Sequence, residues 1–153
     1  MHPLAHMMAG ALIGQLVGHP AAALGGGLAS HALLDVIPHT EGRTFKAEGS
    51  PRGRLVSPEH LEAGVEFVAA ALAIAWITRC PAADGRLIAL AALAAILPDI
   101  VDQPLERLRG IRLLHVRRWH WTVARRHALW GILTQLVIAG GAGLALLKLT
   151  GCV

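Results

Sequence analysis

A short stretch near the end of the first long apolar region combines residue types that are unusual in such a region, in the sequence SHALLDVIPH. His31, Asp35 and His39 are each four residues apart. Residues at this spacing share one face of a helix. An imidazole and a carboxylate on one face can supply two ligands to one cation, or the carboxylate can orient the imidazole. The spacing therefore indicates a pair of metal ligands, with a hydrogen-bonded polar pair between helices as the alternative.

Further candidate ligands lie in two other apolar segments. Asp99 and Asp102 occur in the sequence PDIVD, and His6 lies near the start of the chain. The sequence LPD has a simpler interpretation as a helix stop followed by an acidic cap. A carboxylate at the bilayer centre costs about 2.5–3.5 kcal/mol, so several carboxylates in apolar segments favour a compensating cation. The residues that we predict to bind a metal are His6, His31, Asp35 and Asp99, and mixed His and carboxylate ligands from facing helices suit zinc first, then iron or manganese.

The composition predicts an integral membrane protein. The chain has 153 residues, of which 54% are hydrophobic and 16% are charged, and its mean hydropathy is +0.53. Residues 3–34, 67–78 and 87–98 contain no Asp, Glu, Lys or Arg. Uncharged blocks of this kind are typical of membrane helices. A secretory signal would require a basic residue before the first block, and none is present. We therefore expect one membrane domain over residues 1–153.

The apolar blocks predict an all-α, polytopic transmembrane bundle of about five helices, over residues 3–17, 20–37, 58–79, 85–97 and 127–148. The first two helices are short for a full span of about 20 residues, which suggests a hairpin of short or tilted helices. Gly10, Gly14 and Gly18 recur every four residues and predict a face for close helix contact. An Arg-rich segment over 103–126 predicts an amphipathic helix on the cytoplasmic side of the membrane.

The basic residues predict the orientation. Most Lys and Arg residues fall in loops 39–58 and 99–126, which share one side of a five-span bundle. By the positive-inside rule this side is the cytoplasm of a bacterial inner membrane, with the N-terminus inside and the C-terminus outside. The formal net charge of +4 is explained by these loops, so no nucleic-acid partner is expected. Cys80 and Cys152 then both lie outside, where they can form a disulfide.

This topology brings most of the histidines and acids into one layer near the cytoplasmic interface. Beside the four predicted ligands, the layer contains His2, His39, Glu62, Glu66, Asp102, His120 and His127. For proton transfer in a reaction we predict Asp102 or His120. His2, His39, His60 and His115 are expected to be ordinary interfacial side chains.

Four patterns together resemble the membrane-bound metal-dependent hydrolases, a family of small bacterial polytopic membrane proteins. They are MHPLAHMMAGALIG, SHALLD, LPDIVD and a basic, His-containing stretch before the last apolar helix. The resemblance implies a helical bundle with a metal site made by His6, His31, Asp35, Asp99 and Asp102, to which His120 or His127 contributes. Such proteins often have an Arg-Gly-x-Thr-His-Ser motif, and this chain has RRWHWTVARRH in the corresponding region.

Two functions of different classes follow. The first is a metal-dependent hydrolase that activates water at the cytoplasmic interface and acts on a phosphoester or a lipid, with the arginines holding an anionic group. The alternative is a non-catalytic subunit of a larger membrane complex or a homo-oligomer, in which histidines are structural or ligate haem or a pigment. Haem and pigment sites need histidine without flanking acids, so the carboxylates favour the enzyme. A transporter ranks last, because its charged groups would lie at the middle of the membrane.

Overall fold

The computed structural model describes residues 3–39, 58–109 and 128–153. These residues form five α-helices and no strand: α1 Pro3–Val17, α2 Pro20–Val36, α3 Pro58–Ile77, α4 Gly85–Arg109 and α5 Ala128–Leu149. The predicted all-α class is confirmed. Four of the five helices also have nearly the bounds predicted from the uncharged blocks.

Local sequence explains the two connections that the structure describes. Gly18 has a positive φ of 61° and ends α1, a conformation that favours glycine. His19 then caps α2 by accepting a hydrogen bond on Nδ1 from the amide of Ala21 at 3.2 Å, and Pro20 occupies the first turn, where no amide donor is needed. Between α3 and α4, Asp84 Oδ1 accepts from the amide of Leu87 at 3.2 Å, an N-terminal cap.

The predicted end of α4 is wrong. The helix continues through Pro98 to Arg109, although a proline inside a helix removes one hydrogen bond and its ring crowds the carbonyl four residues earlier. Packing of the turn before Pro98 offsets the cost, since Ala94, Ala95 and Ile96 are at most 3% exposed. The predicted amphipathic helix over 103–126 is also wrong at its start, which belongs to α4. Residues 110–126 of that segment lie outside the described residues, as do residues 40–57.

Helix α1 is the centre of the bundle and contacts each of the other four helices. A helix that is apolar on every side is suited to this position. Its residues Met7, Met8 and Ala11 form one buried cluster with side chains of α3, α4 and α5. Helix α1 is antiparallel to α4, and the short turn between α1 and α2 makes α2 parallel to α4.

Glycines allow α1 and α2 to approach the backbone of α4. A Cβ atom added at Gly10 would lie 2.6 Å from the Ala91 carbonyl oxygen. Added Cβ atoms would likewise collide with the Leu87 carbonyl at Gly14 and with the Ala91 carbonyl at Gly27. The predicted close contact is confirmed at Gly10 and Gly14, whereas Gly18 lies in the turn with no neighbour near its added Cβ.

At one end of the bundle, here called the disulfide end, three parts of the chain are joined. Cys80 and Cys152 form a disulfide, as the predicted topology allowed. The amide of Ala82 donates to the carbonyl of Thr150 at 3.0 Å. Gln15 of α1 donates from Nε2 to the Ala82 carbonyl at 2.9 Å and accepts on Oε1 from the amide of Asp84 at 3.0 Å. The start of α1, the ends of α2 and α4 and the starts of α3 and α5 therefore lie at the opposite end.

Among the described residues, one helix is long and apolar enough to cross a membrane. It covers Leu129–Leu149 with a hydropathy of 1.8, and 17% of it is buried in the protein. Helix α1 is apolar but has 15 residues, which makes it about 22 Å long at 1.5 Å per residue. The described residues thus show one possible membrane span instead of the five predicted.

Candidate metal centre

Three helices bring four ionisable side chains together at the end opposite the disulfide, and we call this group the His/Asp cluster. His6 comes from α1, His31 and Asp35 from α2, and Asp99 from α4. His6, His31 and Asp35 are at most 5% exposed, and Asp99 is partly buried. All four residues predicted as metal ligands therefore belong to this end of the bundle.

Asp35 contacts both imidazoles. Its Oδ1 lies 3.4 Å from His6 Nε2 and its Oδ2 lies 3.2 Å from His31 Nε2. The two rings are stacked, with centroids 4.2 Å apart and an interplanar angle of 22°. One carboxylate thus spans the neighbouring nitrogen atoms of two stacked imidazoles from different helices. The predicted pairing of His31 with Asp35 on one face of α2 is part of this arrangement.

The other nitrogen of His31 is fixed by the backbone of α4. His31 Nδ1 lies 2.7 Å from the carbonyl oxygen of Ala95. A carbonyl can only accept, so Nδ1 carries a proton and the lone pair of a neutral ring is on Nε2. That lone pair faces the Asp35 carboxylate. A lone pair and a carboxylate oxygen both accept, so this contact is favourable only with a proton on Nε2 or a cation between the two atoms. Donation from the second ring nitrogen to a backbone carbonyl is also the usual arrangement of a metal-binding histidine.

His6 is the most completely enclosed member of the cluster. It is 0% exposed, and neither of its ring nitrogens has a hydrogen-bond partner among the described residues. Leaving a buried polar atom without such a partner costs about 1–3 kcal/mol. The contact of Nε2 with Asp35 compensates one nitrogen only in part, because its geometry is not that of a hydrogen bond. A buried ring nitrogen that lies beside a carboxylate in this way is well placed to be the ligand of a cation.

The candidate ligand atoms lie close to one another, and small side-chain shifts would bring them onto one ion. One ligand atom each from His6, His31 and Asp99 lies within 4.8 Å of the others. Bonds of 2.0–2.1 Å to a tetrahedral zinc ion place neighbouring ligand atoms about 3.3 Å apart. The contacts of Asp35 with the two imidazoles, at 3.4 and 3.2 Å, already have this length. Two imidazole nitrogens with carboxylate oxygens suit zinc, iron or manganese.

Several predicted members of the layer are not part of the described cluster. His2, the side chain of Asp102, His120 and His127 lie outside the described residues, as do His115 and the side chain of His60. Glu62 is exposed on α3 and Glu66 is partly buried there. The expectation that His39 is an ordinary interfacial side chain is wrong, because His39 is 0% exposed and its Nδ1 lies 2.7 Å from the Ile37 carbonyl.

The Ala95 carbonyl could not be predicted from the sequence as a partner of His31, since a backbone atom has no signature in residue type. The one signal near it is Pro98, which interrupts the hydrogen bonds of α4 beside this position. In the sequence LPD this proline predicts only a helix stop.

Comparison of the chain with protein-family models, with curated protein sequences and with solved structures gave no match. The resemblance to the membrane-bound metal-dependent hydrolases therefore stays a prediction from short sequence patterns. Function has to be inferred from the His/Asp cluster and its surroundings.

Proposed function

We propose that this chain is a metal-dependent hydrolase of a bacterial inner membrane that acts on a phosphoester or lipid at the cytoplasmic interface. The observation that carries the proposal is the His/Asp cluster itself. His6, His31 and Asp35 are buried in a bundle whose interior is otherwise made mostly of Ala, Leu, Ile and Met. Buried ionisable groups in such surroundings are costly unless they are paired or bind a cation.

The roles of the four cluster residues follow from their positions, and the other roles are those predicted from the sequence. The Nε2 atoms of His6 and His31 and the carboxylates of Asp35 and Asp99 would hold the ion. A bound divalent ion of this class lowers the pKa of a coordinated water and so supplies hydroxide at neutral pH. The Ala95 carbonyl keeps the Nε2 atom of His31 directed at the cluster. The proton-transfer role remains with Asp102 or His120, and the arginines of the adjacent loops would bind an anionic head group.

Three features support a membrane location with this orientation. Helix α5 is long enough to span a bilayer. Large apolar side chains are exposed on other helices as well, including Leu33 at 69%, Leu72 at 67% and Leu93 at 55%. The disulfide end would face an oxidising compartment, and the His/Asp cluster would face the cytoplasm together with the Arg-rich loops, in agreement with the positive-inside rule.

The first test is metal content. We expect the detergent-purified protein, prepared without chelator, to contain close to one equivalent of zinc, iron or manganese by elemental analysis. The His31→Ala/Asp35→Ala double variant should contain almost none, because two of the four ligands are gone. His19→Ala is the matched control, since His19 is exposed in the turn between α1 and α2 and lies away from the cluster.

The second test is turnover by the metal-loaded protein. We expect it to release product from phospholipid vesicles or from a water-soluble phosphoester, and the double variant to release none. The absence of metal from the purified wild-type protein would contradict the proposed metal site. The histidines would then form a polar contact between helices in a subunit of a larger complex. Metal without hydrolysis of any phosphoester or acyl ester would overturn the enzymatic role alone.

A further inference from the structure

Helices α2 and α4 are parallel and in contact at two successive levels, one turn apart. At the first level an added Cβ at Gly27 would collide with the Ala91 carbonyl and would lie 2.8 Å from Ala94 Cβ. Four residues later on each helix, His31 Nδ1 lies 2.7 Å from the Ala95 carbonyl. One further step of four residues reaches Asp35 on α2 and Asp99 on α4. The cluster therefore continues a register that begins at a glycine contact.

Pro98 lies on α4 between the level of Ala95 and that of Asp99, and it is buried. It has no amide hydrogen for the Ala94 carbonyl, and its ring crowds that carbonyl. Prolines and inserted side chains are recognised causes of local disruption of the hydrogen-bond ladder of a helix. Here a proline and a side-chain partner occur at one place, since His31 Nδ1 lies 2.7 Å from the Ala95 carbonyl oxygen.

We propose that Pro98 is a positioning residue for the metal centre. Pro98 removes the helical hydrogen bond of the Ala94 carbonyl and crowds it, which would bend α4 beside Ala95. The bend would hold the Ala95 carbonyl against His31 Nδ1 and Asp99, the next residue, at the level of the imidazoles. This inference rests on the proposed function, because it assigns Pro98 to the same site. Pro98 itself offers no ligand atom, so it acts through His31 and Asp99.

The test compares Pro98→Ala with Pro104→Ala, which removes a second proline six residues later in the same helix. We expect Pro98→Ala to weaken binding of Co(II) by about 10- to 100-fold, the usual effect of removing outer-shell support, and to change the visible absorption of the bound Co(II). Pro104→Ala should leave both unchanged. In the presence of chelator Pro98→Ala should melt at the same or a higher temperature, since the interior proline costs helix stability. A role in folding alone would lower the melting temperature and leave the Co(II) spectrum as it is.

A second measurement needs no metal. With ¹⁵N-labelled histidine, His31 of the wild-type protein should show a protonated, hydrogen-bonded Nδ1, and this signal should be lost in Pro98→Ala. Should the Pro98→Ala protein fail to fold, Pro98→Ser takes its place with a smaller expected loss of the signal, because a serine hydroxyl can bond back to the carbonyl four residues earlier and preserve part of the disruption.

The outcomes separate the two proposals. Wild-type protein that binds no Co(II) would overturn the proposed function, and the ¹⁵N signals would still decide the role of Pro98. Equal Co(II) affinity and spectra for wild type and Pro98→Ala would overturn the positioning role and leave the metal site in place. A wild-type His31 with its proton on Nε2 would overturn it as well.

Discussion

The two ends of this bundle use polar groups in opposite ways. At the disulfide end, Gln15 donates and accepts one hydrogen bond each with the α3–α4 turn, and a covalent bond joins the turn to the C-terminal segment. These polar groups lie near the surface and have their partners. At the other end the cluster is enclosed, and the ring nitrogens of His6 have no hydrogen-bond partner among the described residues.

The polar groups at the disulfide end stabilise the fold, whereas those of the His/Asp cluster depend on the fold for their burial. Removing a satisfied surface hydrogen bond loses its modest net stabilisation, whereas a buried polar group without a partner is itself a cost to stability. A protein keeps such a cost where the group serves another purpose, as at a ligand or catalytic site. Substitutions at the disulfide end should therefore change stability and spare metal affinity, and substitutions in the His/Asp cluster should do the reverse.

The largest change in stability is expected on removal of the disulfide. The Cys80→Ser/Cys152→Ser variant opens a covalent loop with a sequence separation of 72 residues. A loop of this length stabilises by about 4 kcal/mol in the chain-entropy model, and measured values are typically 2–4 kcal/mol. We expect a lower melting temperature in detergent and unchanged metal content. A loss of metal in a variant that is still folded would show that the two ends are not independent.

The next largest effect is expected at His6, and there it should concern affinity. His6→Phe keeps a planar ring to stack on His31 and removes both buried nitrogens. Metal affinity should fall by more than about 100-fold, because loss of an outer-shell partner alone costs 10- to 100-fold. The melting temperature of the metal-free protein should stay the same or rise, because two buried polar atoms are gone. Metal titration and thermal unfolding in chelator measure the two quantities separately. Unchanged affinity would exclude His6 as a ligand.

The sequence allowed the cluster to be predicted in large part, for reasons of connectivity. Uncharged blocks mark helices, and successive helices of a five-span bundle reverse direction. The start of α1 and the ends of α2 and α4 must then share one end, which brings His6, His31, Asp35 and Asp99 to the same layer. The spacing of four residues added that His31 and Asp35 lie on one face of α2.

Other features of the site could not be predicted, because they depend on packing between helices. The Ala95 carbonyl becomes a partner of His31 only where α2 approaches α4 closely at Gly27, and glycine in a helix does not reveal which backbone it meets. The course of α4 beyond Pro98 depends on buried neighbours that outweigh the local preference of proline. His39 is enclosed although nothing in the surrounding sequence distinguishes it from an interfacial residue.

The smallest effect concerns Gln15, and it sharpens the comparison most, because Gln15 belongs to the same helix as His6. Gln15→Ala removes two hydrogen bonds to the α3–α4 turn, each of which stabilises by about 1 kcal/mol. Gln15→Glu removes the donor to Ala82 and keeps the acceptor for the amide of Asp84, so it should lose about half as much. The free energy of unfolding should be highest for the wild type, lower for Gln15→Glu and lowest for Gln15→Ala. Metal affinity should be the same for both variants. Helix α1 contacts every other helix. A substitution at Gln15 that weakened metal binding would therefore mean that α1 transmits changes between the two ends. The metal centre would then depend on the whole bundle and not on its own three helices alone.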